Sequence, residues 1–177
     1  MRQVTTKTTD ELTPTEATNL RGLLDDAFEG RYTDAFWNQA LGGSHFFVVE
    51  DGVPLSHASV VWRTLIAGKR SVDTGYVESV GTRNGYRHRG LAGLIMASAQ
   101  SHIAERYEMG ALHSVLPTFY EHLGWEKWRG PTYVRIDGAS TRTPEDDECI
   151  HVWRGAESGE LDLDDPISCD WRPGFVW

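Results

Sequence analysis

Tyr86-Arg87-His88-Arg89-Gly90-Leu91-Ala92-Gly93 carries the densest chemical signal in the chain. Two arginines, with a histidine between them and a glycine after them, suit an anion. The run follows a strand-like stretch, 74–82, and opens an apolar-periodic helix. Its main-chain N–H groups therefore lie at a helix N-terminus, where the dipole also favours negative charge. A pyrophosphate is the natural ligand for that arrangement. Gly90 can take backbone angles closed to other residues, and Gly93 allows close approach of a ligand or strand. Arg-x-x-Gly-x-Ala is short and has many chance matches, and an ordinary strand–turn–helix connection uses the same residues. The helix is marked by Leu91, Leu94, Ile95, Ala99 and Ile103 at i, i+3, i+4, i+8 and i+12.

The elements that must position this turn read as one α/β unit. Residues 3–8 suit a first strand. Thr13-Pro14-Thr15-Glu16 starts a helix with Thr13 as cap, continued by Ala17, Leu20, Leu24, Ala27 and Phe28. A short helix from Thr33 or Asp34 to Ala40 ends at Gly42-Gly43. Segments 44–49 and 54–66 are strands joined by the hairpin turn Glu50-Asp51-Gly52. A further strand, 69–82, leads into the basic turn and its helix. Then follow strand 111–115, short helix 117–122, a strand start at 125–128, and strands 132–136 and 149–153. Residues 137–140 and 155–166 read as loops. Strands, a helix, a strand and another helix predict a mixed central sheet flanked by helices, not a repeated βαβ pattern. Gly-x-Gly-x-x-Gly is absent, which argues against a doubly wound dinucleotide fold.

At 177 residues with 40% hydrophobic and 24% charged content, the chain fits one globular domain with a substantial core. No apolar run reaches membrane-spanning length and no apolar signal region opens the chain, so a cytoplasmic protein without membrane association is expected. Cys149 and Cys169 form no CxxC pattern and read as free thiols. His45, His57, His88, His102, His113, His122 and His151 show no metal-ligand pair on a common helix face, so no metal is expected. Residues 144–177 hold ten acidic and two basic groups, carrying −8 of the net charge of −9. That segment can steer a cationic ligand, or serve as a solvated acidic face. The acidic balance excludes nucleic acid as the expected partner, since phosphate contacts need a basic surface.

Arg87-His88-Arg89-Gly90-Leu91-Ala92 resembles the Arg/Gln-x-x-Gly-x-Gly/Ala loop of the GCN5-related N-acetyltransferases. Phe119-Tyr120-Glu121-His122-Leu123-Gly124-Trp125 is similar to that superfamily's aromatic-Tyr segment. Further stretches resemble the aminoglycoside 2'-N-acetyltransferases over nearly the whole chain. They include Gly75-Tyr76-Val77-Glu78, Gly130-Pro131-Thr132, residues 141–147, Ala27-Phe28-Glu29-Gly30, Leu41-Gly42-Gly43 and the ending Cys169–Trp177. The resemblance implies the acetyltransferase fold, acetyl-CoA as donor, and a small cationic amine as acceptor. It also implies antibiotic inactivation as an activity, and it admits a homodimer.

Site residues carried over by resemblance follow the chemistry of acetyl transfer. The attacking amine must be neutral, and the departing CoA thiolate must be protonated. The resemblance makes Glu78 the base, acting through a water, and Tyr120 the general acid beside the thioester sulfur. It implies that the cofactor is held by Val80, Gly81 and Thr82 along the strand and by Arg87, His88, Arg89, Gly90, Leu91 and Ala92 in the loop. Acceptor contacts fall on Glu78, Ser79, His113, Glu145, Asp146 and the Trp177 carboxylate, with residues 144–177 completing the acceptor site. Other readings stay open at the level of residues: Glu78 as a surface carboxylate in an alternating strand, Tyr120 as a core tyrosine, and the aromatic tail as a core-docking segment. Arg31, Phe36 and Phe175 stand where the resembled enzymes carry carboxylates. This weakens polyamine-sugar binding and keeps two alternatives in view: transfer to another amine such as a polyamine or amino sugar, and a non-catalytic drug- or acetyl-CoA-binding protein.

Overall fold

Thr13 opens the first long helix by a reciprocal cap. Its hydroxyl accepts from the Glu16 N–H, and the Glu16 carboxylate accepts from the Thr13 N–H at 2.9 Å. This helix, α1 (Pro14–Ala27), is followed by α2 (Asp34–Ala40), capped by Thr33. The computed structural model describes residues 3–177. The chain divides into two compact units, one formed by residues up to Val61 with Val77–Ser101, the other by Trp62–Tyr76 with His102–Trp177.

In the first unit, β1 (Val4–Thr8) pairs antiparallel with β2 (Ser44–Glu50), from Val4 opposite Val48 to Thr8 opposite Ser44. β2 pairs antiparallel with β3 (Val53–Ala67). Asp51 and Gly52 turn the hairpin with φ of 51° and 77°, as two-residue loops with positive φ require. Gly43 is obligatory, since a Cβ there would sit 2.0 Å from the Val60 carbonyl oxygen. Leu23 and Leu24 of α1 bury against Tyr32, with Trp37 packed beside them. β4 (Arg70–Thr82) contributes its last residues, 77–82, to this unit.

In the second unit the residues of β4 and β3 extend outward on both sides. β5 (Met109–His113) runs parallel to β4, with Gly75 opposite Gly110. β9 (Ile150–Arg154) lies antiparallel to β5 and to the short β6 (Glu126–Lys127). Beyond β3 come β10 (Ile167–Asp170), β7 (Thr132–Ile136) and β8 (Ala139–Arg142), with β10 and β7 parallel. The mixed sheet matches the expected fold class. Strands β8 and β10 fall where the sequence reading placed a loop or nothing. β5 begins two residues before the expected 111, because Gly110 is a strand residue: Trp125 and Ile103 occupy the space of its missing side chain.

Helix α3 (Leu91–Arg106) buries Leu91, Ile95, Met96, Ala99 and Ile103. Leu94, expected on that face, is exposed, and Met96 takes the core position instead. The helix α4 (Pro117–Glu121) carries the aromatic-Tyr segment. Among the described residues no helix is long and apolar enough to cross a membrane.

Candidate functional site

Glu78, Ser79, Val80, Gly81 and Thr82 lie on β4 within the first unit, at a left-handed step in the strand. Ser79 has φ +55°, a conformation that a non-glycine residue adopts only when its surroundings hold it there. Two anchors hold it. The Tyr32 hydroxyl and Ser79 Oγ share a short hydrogen bond, and the His57 ring bonds the Ser79 carbonyl through Nδ1 at 2.9 Å. The neighbouring carbonyls are also gripped from β3: Ser59 Oγ donates to Glu78 O, and Ser56 Oγ donates to Gly81 O at 3.1 Å. Gly81 lets the strand lie against α1, for a Cβ would meet Leu24 at 3.0 Å and Ala27 at 3.2 Å. Burial pushes the Tyr32 phenol well up, and the Glu78 charge adds to the effect, so Tyr32 is a neutral hydroxyl near that carboxylate.

His57 and His45 are missing from the sequence-based site. Both are fully buried, and burial lowers the two rings to about 3 and about 4. They stand in the strand runs Ser44-His45-Phe46 and Ser56-His57-Ala58, where nothing in the local pattern separates them from ordinary buried positions.

The basic turn follows directly. Asn84 is tied to α1 by its N–H to Asp26 Oδ2 at 2.6 Å and its amide to Asp26 O at 2.8 Å. Gly85, His88 and Gly90 all have positive φ, which folds residues 85–90 into a tight loop before Leu91 starts α3. Arg87 donates to Ala27 O at 2.6 Å, and Arg89 donates to Gly85 O at 2.8 Å while its guanidinium covers the Tyr86 ring. Arg87, His88, Arg89 and Gly90 are exposed, whereas Leu91 is buried and Ala92 half-buried. Two fixed cations and the first N–H groups of a sixteen-residue helix make a cradle suited to a pyrophosphate.

The second unit gathers Tyr120, His113, Asp146 and Trp177. Tyr120 is buried beside Phe119, Trp125 and His151, and burial pushes its phenol up to about 12, opposed by a hydrogen bond with Ser114. The phenol therefore stays protonated at neutral pH. His113 lies 3.2 Å from Asp146 Oδ1, with the Phe175 ring edge-on at 4.7 Å. Burial lowers His113 to about 4, and the neighbouring His151 adds to the effect, so a neutral ring sits beside the Asp146 carboxyl. Burial raises Asp146, and the charge of Glu145 adds to it. Glu145 itself is exposed. Asp147 accepts from Arg142 and from the Thr132 N–H and hydroxyl, which holds its carboxyl down at about 2 and fixes the turn bearing Glu145 and Asp146. Trp177 is buried, with its indole N–H donating to Thr143 Oγ1 at 3.1 Å and its main-chain oxygen accepting from Arg172 at 3.1 Å. Trp171 stays exposed and Phe175 is only partly covered by its contact with His113, so Trp177 alone of the aromatic tail is fully buried.

Comparison with known proteins bears on both units. The sequence pattern described as "Acetyltransferase (GNAT) domain" matches residues 8–128. An aminoglycoside 2'-N-acetyltransferase of Mycolicibacterium fortuitum is 41% identical over 161 residues, covering 89% of this chain and 83% of that protein. Among solved structures, the Escherichia coli GNAT family N-acetyltransferase YhbS, in complex with CoA, aligns with TM-score 0.67 at 15% identity, over 95% of this chain and 89% of that one. A GCN5-related N-acetyltransferase from Kribbella flavida aligns with TM-score 0.60 at 19% identity over 73% of this chain. The chain spans 34% of that larger protein. A matching pattern over more than half the chain, joined to close identity over most of it, means that this chain belongs to the GNAT family of acetyltransferases, enzymes that move an acetyl group from acetyl-CoA to an amine.

Proposed function

We propose that this enzyme transfers the acetyl group of acetyl-CoA to the 2'-amine of an aminoglycoside. The observation that carries the reading is the 41% identity to the mycobacterial aminoglycoside 2'-N-acetyltransferase. In this reading residues 1–177 act as one acetyltransferase domain, drawing on cytoplasmic acetyl-CoA, with residues 144–177 completing the acceptor site. A homodimer belongs to the same proposal.

Each proposed role follows from what its residue can do. Arg87, His88, Arg89 and the N–H groups of Gly90, Leu91 and Ala92 hold the pyrophosphate. The main chain of Val80, Gly81 and Thr82 holds the pantetheine arm. Glu78 takes the amine proton through a water, which makes the nitrogen a nucleophile. The nitrogen attacks the thioester carbonyl, and the Val80 N–H stabilises the oxyanion. The C–S bond then breaks, and Tyr120 gives its proton to the leaving sulfur. Ser79, His113, Glu145, Asp146 and Trp177 contact the acceptor, whose cationic amines answer the carboxylates.

Three positions favour a second reading, transfer to another small amine such as a polyamine or an amino sugar. Arg31 is exposed and paired with Glu29, while Phe36 and Phe175 offer partly exposed rings where acidic groups would draw a cation. Paired aminoglycosides bearing a 2'-amine or a 2'-hydroxyl, with polyamines and simple amino sugars added, separate the two readings by release of CoA thiol. Glu78→Gln and Tyr120→Phe test whether it is an enzyme at all: a non-catalytic binder keeps its ligand affinity in both variants and shows no turnover before or after.

A further inference from the structure

A continuous hydrogen-bonded chain runs through the first unit to the left-handed step in β4. His57 Nδ1 lies 2.9 Å from Ser79 O, His57 Nε2 lies 3.0 Å from His45 Nδ1, and His45 Nε2 lies 2.9 Å from Thr9 Oγ1. The Gly42 N–H donates to the same Thr9 oxygen at 2.8 Å. Chemistry fixes the direction of every proton. A carbonyl only accepts, so His57 Nδ1 carries the hydrogen. Both rings are neutral, so His57 Nε2 is a bare acceptor and His45 Nδ1 carries the next hydrogen. His45 Nε2, left bare, then takes the Thr9 hydroxyl proton at 2.9 Å in preference to the more distant Gly43 carbonyl at 3.3 Å. All three donors point toward the Ser79 carbonyl, and bonds aligned in series polarise one another.

That carbonyl belongs to the Ser79–Val80 peptide, whose other end is the Val80 N–H. Pulling electron density toward the oxygen makes the N–H a stronger donor, and anchoring the oxygen holds the strained Ser79 at φ +55°. We infer that His57, backed by His45 and Thr9, is a positioning residue for acetyl transfer, setting the orientation and polarity of the Ser79–Val80 peptide next to Glu78. The inference rests on the acetyltransferase reading of Glu78 and Val80 above. Neither histidine touches substrate in this scheme; both act through the main chain of β4.

Two substitutions and one spectrum test it. In His57→Asn the amide nitrogen occupies the place of Nδ1 and keeps the donor to Ser79 O, whereas His57→Leu removes it at similar volume. With any amine that the unaltered enzyme accepts, kcat falls at least tenfold in His57→Leu, KM for acetyl-CoA stays within twofold, and His57→Asn recovers most of the rate. Equal loss in both variants, or a change in KM alone, overturns the inference. Nitrogen-15 spectra of the unaltered protein show both rings as Nδ1–H tautomers; an Nε2–H ring at His57 overturns it. The Val80 amide resonance moves in His57→Leu and returns in His57→Asn, a readout that works without an acceptor. If no amine is accepted, the functional reading fails on its own, and the tautomers and the Val80 resonance still decide this one.

Discussion

Replacing Tyr120 with Phe removes one oxygen from a buried ring and tests the proton balance of the reaction. Burial pushes that phenol up to about 12, while a thiol like that of CoA titrates near ~8.5. Proton transfer from Tyr120 to a free thiolate is therefore uphill by about 3.5 pH units, or about 5 kcal/mol. A turnover of about 10 per second corresponds to a barrier of about 16 kcal/mol, so such a transfer fits when it accompanies C–S cleavage. Without the hydroxyl, the sulfur leaves unprotonated or draws on bulk water. Loss of a positioned acid costs about 10²–10⁴-fold in rate. The same deletion removes one hydrogen bond with Ser114, worth about 1 kcal/mol of stability, so the fold survives. The assay is thiol release under saturating acetyl-CoA and acceptor, with thermal unfolding run alongside. The wild-type rate shows no alkaline decline from this group below pH 10, because the donor stays protonated. A Tyr120→Phe enzyme that keeps kcat within threefold, with unfolding unchanged, refutes the assignment.

Further expectations follow from other parts of the structure. The folded Asp147 carboxyl, at about 2, lies below the ~3.9 of an unfolded chain. Its stabilisation is complete above about pH 4 and is lost as pH falls through about 2; Asp147→Asn removes about 1–2 kcal/mol at pH 7 in urea unfolding and flattens that acid limb. Gly43→Ala drives a Cβ into the Val60 backbone and destabilises by about 3 kcal/mol or more, which chemical denaturation reads directly; a loss below 1 kcal/mol contradicts the packing. Asp146→Asn raises KM for a polycationic acceptor several-fold, with an effect that shrinks at high salt. An unchanged KM removes Asp146 from the acceptor contacts.

Local chemistry made much of this fold readable. Thr13 and Glu16 mark a helix start by their spacing alone, and Asp51-Gly52 marks a hairpin because few other residues tolerate its backbone angles. Asp137-Gly138 sends the same signal with φ of 49° and 82°, yet the strand it leads into is exposed at every residue, so alternation is absent and β8 escapes notice. β10 offers only Ile167 and Cys169 as inward residues, too few to define a period. α3 carries small apolar residues around most of its circumference, so leucine spacing alone does not fix its buried face, and Leu94 and Met96 exchange roles. The basic turn was visible because two arginines, a histidine and a glycine stand close together in the sequence. The support behind Ser79 was not, because Tyr32, His45 and His57 are far apart in sequence and meet only through the pairing of β2, β3 and β4 and the packing of α1.

Acetyl transfer from acetyl-CoA to a 2'-amine can be read in a single pair of reactions. Incubating the protein with acetyl-CoA and matched aminoglycosides that differ only in a 2'-amine or a 2'-hydroxyl, with detection of free CoA thiol, tests it most directly. Turnover is expected on the 2'-amino compound and none on its 2'-hydroxyl partner. Equal turnover on both, or turnover confined to other amines, contradicts it.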